Sequence, residues 1–180
     1  MVCFNDPIEL EVKLFICIII FNIMTHIATD NLTVNNLGQF NKIASPESYS
    51  DEFTKECLQL EELAQYVYFD EVPVGFVVSN VLQPQNSGIP IGLVISILKV
   101  LPAYAHRYGL EDALIHYVEK TTTEKRLLHR IFLLLDPKKD EWLITYARKH
   151  GFGEDTKTPV HIDSKHQLDS KGKILLVKHV

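Results

Sequence analysis

Between Ile89 and Gly151 the chain runs twice through the same alternation, a strand-like segment and then a helix-like one, and this order restricts the fold more than any other feature. Ile89 to Val100 (IPIGLVISILKV) is rich in β-branched residues and predicts a long central strand. Residues 105–120 predict a helix, because Leu110, Ala113, Leu114, Tyr117 and Val118 fall on one apolar stripe at helical spacing. Ile131 to Leu135 (IFLLL) is apolar at every position and predicts a buried strand. Asp140 to His150 predicts a second amphipathic helix, with Asp140 as N-cap and Gly151 just past its end. Strand, helix, strand and helix in this order imply a parallel pair joined by a right-handed crossover.

The first half supplies the rest of the sheet. Ala64 to Phe69 and Pro73 to Leu82 read as two strands turned at Asp70 and Glu71, an antiparallel hairpin, with Gly75 permitting a bulge or a close approach. Ahead of them, Thr33 is expected to cap a helix through Ile43, whose apolar positions are Leu37, Phe40 and Ile43, with Ser45 and Pro46 as its stop. A short helical turn is expected near Ser50 to Cys57. A late hairpin ending in Ile174 to Val177 closes the chain. The expectation is one α/β domain with a mixed central sheet flanked by helices, which 180 residues suffice to fold.

A hydrophobic fraction of 46% with 23% charged residues excludes a disordered chain. The formal charge of −5 argues against direct nucleic-acid binding. Cys3, Cys17 and Cys57 are odd in number and lack CxxC spacing, so no metal site or disulfide framework is expected, and a reducing, cytoplasmic setting is the simplest. Leu14 to Phe21 (LFICIIIF) is too short to span a bilayer. A signal peptide is opposed by the acidic residues before it. The remaining reading takes Met24 as the natural start, with residues 1–23 as an extension outside a single domain of residues 24–180, and no membrane attachment.

Local words add a family likeness. Glu61-Glu62-Leu63-Ala64 leading into Tyr68-Phe69-Asp70-Glu71-Val72-Pro73-Val74-Gly75, then Leu101-Pro102-Ala103-Tyr104, then Arg148-Lys149-His150-Gly151-Phe152, stand in the order of the GNAT acetyltransferases. They resemble the NatE catalytic subunit of the N-terminal acetyltransferases, and Asp30-Asn31-Leu32 with Asn35-Asn36-Leu37-Gly38 resembles the opening of its fungal members. The resemblance implies a GNAT fold, acetyl-CoA as cofactor, and acetylation of nascent protein N-termini. It also implies association with the large auxiliary and catalytic subunits of the NatA complex, and through them with the ribosome.

The same resemblance exposes departures. That family holds the cofactor pyrophosphate on backbone N–H groups at a helix N-terminus, through Arg/Gln-x-x-Gly-x-Gly/Ala directly after the Leu-x-x-Tyr word. Without gaps this motif falls on Ala105, Tyr108 and Leu110, none of which fits; shifted by one residue it becomes His106-x-x-Gly109-x-Glu111. Either His106, Arg107 and Gly109 retain weak cofactor binding, or the segment is an ordinary strand-to-helix turn. A carboxylate such as Glu111 or Asp112 some ~5 Å from a pyrophosphate charge costs roughly 1–3 kcal/mol, so these residues suit the helix better than the ligand. Further cofactor contacts implied by the resemblance fall on Leu98, Val100, Leu110 and Asp140.

The family's general-base Tyr and His fall on Val94 and Leu135, with Leu134 one residue away, and none of these accepts a proton. Its Tyr beside the thiolate falls on Ala147, leaving neighbouring Tyr146 as a substitute. Its Phe-Pro-Val substrate loop becomes Ser45-Pro46-Glu47 and keeps only Pro46, and its paired Tyr in the late hairpin loop give way to His161 and His166. A scaffold of weak or lost activity, a pseudoenzyme with a structural or regulatory role, is the expectation; an active acetyl-CoA-dependent enzyme is the alternative.

Overall fold

The computed structural model describes residues 26–83, 88–155 and 172–180. The expectations placed on residues 1–23, His161 and His166 lie outside the described residues. The chain is a mixed α/β fold whose seven-stranded sheet runs in the order β1-β2-β3-β4-β5-β7-β6. The strands are β1 (Ile27–Asn31), β2 (Ala64–Phe69), β3 (Val72–Leu82), β4 (Gly92–Val100), β5 (Arg130–Leu135), β6 (Gly153–Glu154) and β7 (Ile174–His179). The α-helices are α1 (Phe40–Ala44), α2 (Asp51–Leu58), α3 (Leu110–Lys120) and α4 (Glu141–Lys149). The β4–β5 pair is parallel and joined by α3, while β2–β3 is the antiparallel hairpin.

Local chemistry accounts for most of these elements. Asp70 and Glu71 both take left-handed backbone angles (φ 47° and 68°), the conformation a two-residue hairpin turn requires. Ser50 caps α2 by accepting a hydrogen bond from the Phe53 N–H at 3.1 Å. The apolar stripe of α3 is buried at Leu110, Leu114 and Val118, and joins Leu93 and Ile95 of β4 with Ile131 and Leu133 of β5 in one core. On the other face of the sheet, Phe40 and Ile43 of α1 pack with Tyr66 of β2 and Phe76 of β3.

Three expectations need correction, and one strand was not foreseen. No helix starts at Thr33: its N–H is taken by Asn36 Oδ1 in a turn, and helical structure begins with a 3-10 turn at Leu37–Gln39. The helix placed on residues 105–120 starts only at Leu110, since His106, Tyr108 and Gly109 hold positive φ angles (61°, 54° and 70°) that no helix admits. Asp140 stands ahead of α4 but does not cap it, because its Oδ2 accepts the Asp136 N–H at 2.8 Å instead. Strand β1 lacks any alternating pattern, and its place in the sheet comes from its partner β2.

Candidate active-site cleft

Strands β4 and β5 pair at only three positions, Leu93 with Ile131, Val94 with Phe132 and Ile95 with Leu133. Past Ile95 they part. A bulge contributes to this divergence: β4 meets β3 through Ile97 opposite Val78 and Ile95 opposite Ser79, leaving Ser96 as an extra residue. Ser96 is fixed by Asn80, whose Nδ2 donates to its Oγ at 2.7 Å. Just ahead of the first pair stands Gly92, where a Cβ would run into the Arg130 carbonyl and the Phe132 ring, so only glycine lets the two strands approach there.

The split opens two adjoining cavities. One, of about 380 Å³, is lined by Leu98, Val100, His106, Glu111, Asp140 and Trp142 among others. The other, of about 230 Å³, reaches Glu47, Tyr49, Ser96, Leu134 and Lys173. The first thus brings together four of the residues singled out in the sequence as cofactor contacts, Leu98, Val100, His106 and Asp140. Leu110 is fully buried in the core and reaches neither cavity, nor do the exposed Arg107 and Gly109.

At the start of α3 the decisive group is Glu111. Its side chain is almost fully buried, and Oε1 accepts the His106 backbone N–H at 2.8 Å while lying 3.3 Å from His106 Nδ1. A carboxylate of the chain itself therefore sits where a backbone N–H near a helix N-terminus would meet an anion. The sequence pointed to Glu111 as unhelpful to a phosphate, but not to its folding back onto the loop. The loop is also held from the side, because the His106 ring lies 3.5 Å from the Trp142 ring, centroid to centroid. Trp142, Tyr146 and His150 follow one another along α4 in a continuous stack, with centroid separations of 4.9 and 4.2 Å.

Tyr146, the proposed substitute near the leaving group, donates its hydroxyl to the Asp112 carboxylate and lines neither cavity. Burial, then the Asp112 hydrogen bond and the nearby carboxylates, hold its phenol protonated well beyond the usual tyrosine range. Such a phenol is a poor proton donor. Ala147 is fully buried on the inner face of α4. Val94 and Leu134 share an apolar cluster with Phe132 and Leu175, whereas Leu135 belongs to the core on the opposite face of the sheet. Val94 pairs with Phe132 and shares its face with Leu134, and the second position is aliphatic in either alignment.

On the substrate side, Glu47 beside Pro46 pairs with Lys99 Nζ at 2.9 Å and accepts the Tyr49 hydroxyl at 3.3 Å. Both members of this ion pair line the smaller cavity. Among the described residues no group of His, Cys, Asp and Glu is arranged to hold a metal ion, and no helix is long and apolar enough to cross a membrane.

No family model matches the chain. It is similar to N-alpha-acetyltransferase 50 of Danio rerio, with 29% identity over 119 residues, 66% of this chain and 68% of that protein. Among solved structures it resembles Naa50 of Arabidopsis thaliana in complex with the bisubstrate analogue CoA-Ac-MVNAL, with a TM-score of 0.63 and 19% identity over 84% of this chain and 97% of that one. It also resembles a structure of the NatC complex bound to Gag peptide and CoA, with a TM-score of 0.61 and 17% identity over 86% of this chain and 99% of that one. The fold is that of the GNAT acetyltransferases.

Proposed function

We propose that this chain is a NatE-type N-terminal acetyltransferase subunit whose catalytic power is weak or lost and whose main role is structural or regulatory. One observation carries the reading: the Glu111 carboxylate occupies the His106 backbone N–H that a cofactor phosphate would need. The aliphatic positions Val94 and Leu134 support it, as neither side chain accepts a proton. Residues fit to hold acetyl-CoA are therefore only partly present. Leu98 and Val100 offer an apolar wall for its acyl arm, but its pyrophosphate meets a buried carboxylate.

The partners that fit this reading are the large auxiliary and catalytic subunits of a cytoplasmic NatA complex, with the ribosome reached through them. Support comes from the sequence likeness to N-alpha-acetyltransferase 50 and from a structural relative that works within a complex. Affinity purification of the tagged full chain from its own cells tests the assignment: both NatA subunits are expected to co-purify in stoichiometric amounts, and their absence overturns it.

A second reading, acetyl transfer from acetyl-CoA to nascent N-termini, is favoured by the open β4–β5 cleft. It predicts efficient turnover of Met-starting peptides by the isolated protein, where the first reading predicts little or none.

A further inference from the structure

On the far edge of the sheet from the cleft, β1 is a terminal strand among the described residues. The hydrogen bonds from Leu32 N to Ala64 O and from Asp70 N to His26 O fix its phase. Residues 26, 28, 30 and 32 bond to β2, so Ile27, Thr29 and Asn31 turn their backbone N–H and C=O groups outward. Asn31 N–H is occupied by the Asp30 carboxylate at 2.8 Å, which leaves Ile27 and Thr29 to present the open edge. An edge of this kind is a template for another strand.

Alongside it runs a groove of about 450 Å³ between β1 and α3. Ile27, Ala113 and Tyr117 supply apolar surface, while the titratable groups facing the groove besides Tyr117 are His116, Lys120 and Lys125. No carboxylate lines it. Lys120 reaches Glu124 only at 3.9 Å, both exposed, His116 lies 3.8 Å from Glu119, and no ion pair is formed by Lys125 among the described residues. The chain as a whole is acidic, so this concentration of cations beside an open edge runs against the average of its surface.

We propose that the β1–α3 groove docks an extended, acidic segment of a partner protein, which joins the sheet as a strand beside β1. Backbone hydrogen bonds to Ile27 and Thr29 give register, and Lys120 and Lys125 select acidic side chains. The site is independent of the β4–β5 cleft and of whatever chemistry remains there.

Fluorescence anisotropy on the full chain, with a labelled decapeptide of alternating Glu and Val, tests the proposal. The peptide is expected to bind, to weaken as salt is raised, and to lose about tenfold or more in affinity to the Lys120→Glu/Lys125→Glu variant. Thr29→Pro removes an outward N–H without touching the β2 ladder, and is expected to abolish binding while the melting temperature holds. A counterpart peptide with Lys in place of Glu is expected not to bind. Absence of binding, equal binding of the Lys peptide, or binding unchanged in both variants overturns the proposal. So does a self-association abolished by Thr29→Pro, since the groove would then belong to a second copy of the chain.

Discussion

At the scale of single residues the account turns on Glu111. Removing its carboxylate frees the His106 N–H and takes a negative charge out of the larger cavity. Glu111→Ala is expected to raise affinity for coenzyme A by roughly five- to a hundredfold, the equivalent of about 1–3 kcal/mol, when followed by calorimetry. The same change removes the charge-assisted hydrogen bond that ties the His106 loop to α3, and should lower stability by about 1–3 kcal/mol in urea unfolding. Tyr49 makes a separate prediction. Burial, with the Glu47 carboxylate beside it, pushes its phenol up to about 12. A group held protonated in the folded state adds stability that is complete below its ordinary value near 10 and is lost as pH climbs toward 12. Unfolding free energy should therefore fall across that range more steeply in the wild type than in Tyr49→Phe.

At the scale of elements, the parallel pair and its crossover helix were legible because each is a long run of one chemistry. The α3 stripe from Leu110 to Val118 needs no knowledge of its neighbours. The missed features are those set by partners distant in sequence. β1 exists because β2 offers it a ladder, and the late start of α3 follows from left-handed residues at His106, Tyr108 and Gly109 that the apolar stripe does not encode. Gly92 was likewise silent, since only the approach of Arg130 across the sheet gives it meaning. Gly92→Ala is expected to force β4 and β5 apart next to their first pair and to cost about 1–3 kcal/mol by thermal or denaturant unfolding, more than an alanine in an open position such as Gly38.

At the scale of the molecule, scaffold and chemistry separate. The sequence carried the segment order of a GNAT fold, and the seven-stranded sheet with its split between β4 and β5 follows that order. Of the departures at positions 94, 111, 134 and 147, Glu111 and Leu134 line the two cavities of the cleft and Val94 and Ala147 are buried, while the buried face of α3 and both strands of the parallel pair keep the apolar residues the fold needs. Of the positions that the family likeness marks, Leu98, Val100, His106 and Asp140 line the larger cavity and Arg107, Gly109 and Leu110 do not. The direction of the Glu111 side chain and the commitment of Tyr146 to Asp112 were not legible in the sequence, because each depends on the path of a loop or on a residue of another helix. The most direct test of a fold retained without its chemistry is a calorimetric titration of the full-length wild-type protein with acetyl-CoA. No saturable heat in the micromolar range is predicted, and micromolar binding accompanied by acetylation of Met-starting peptides would contradict the account.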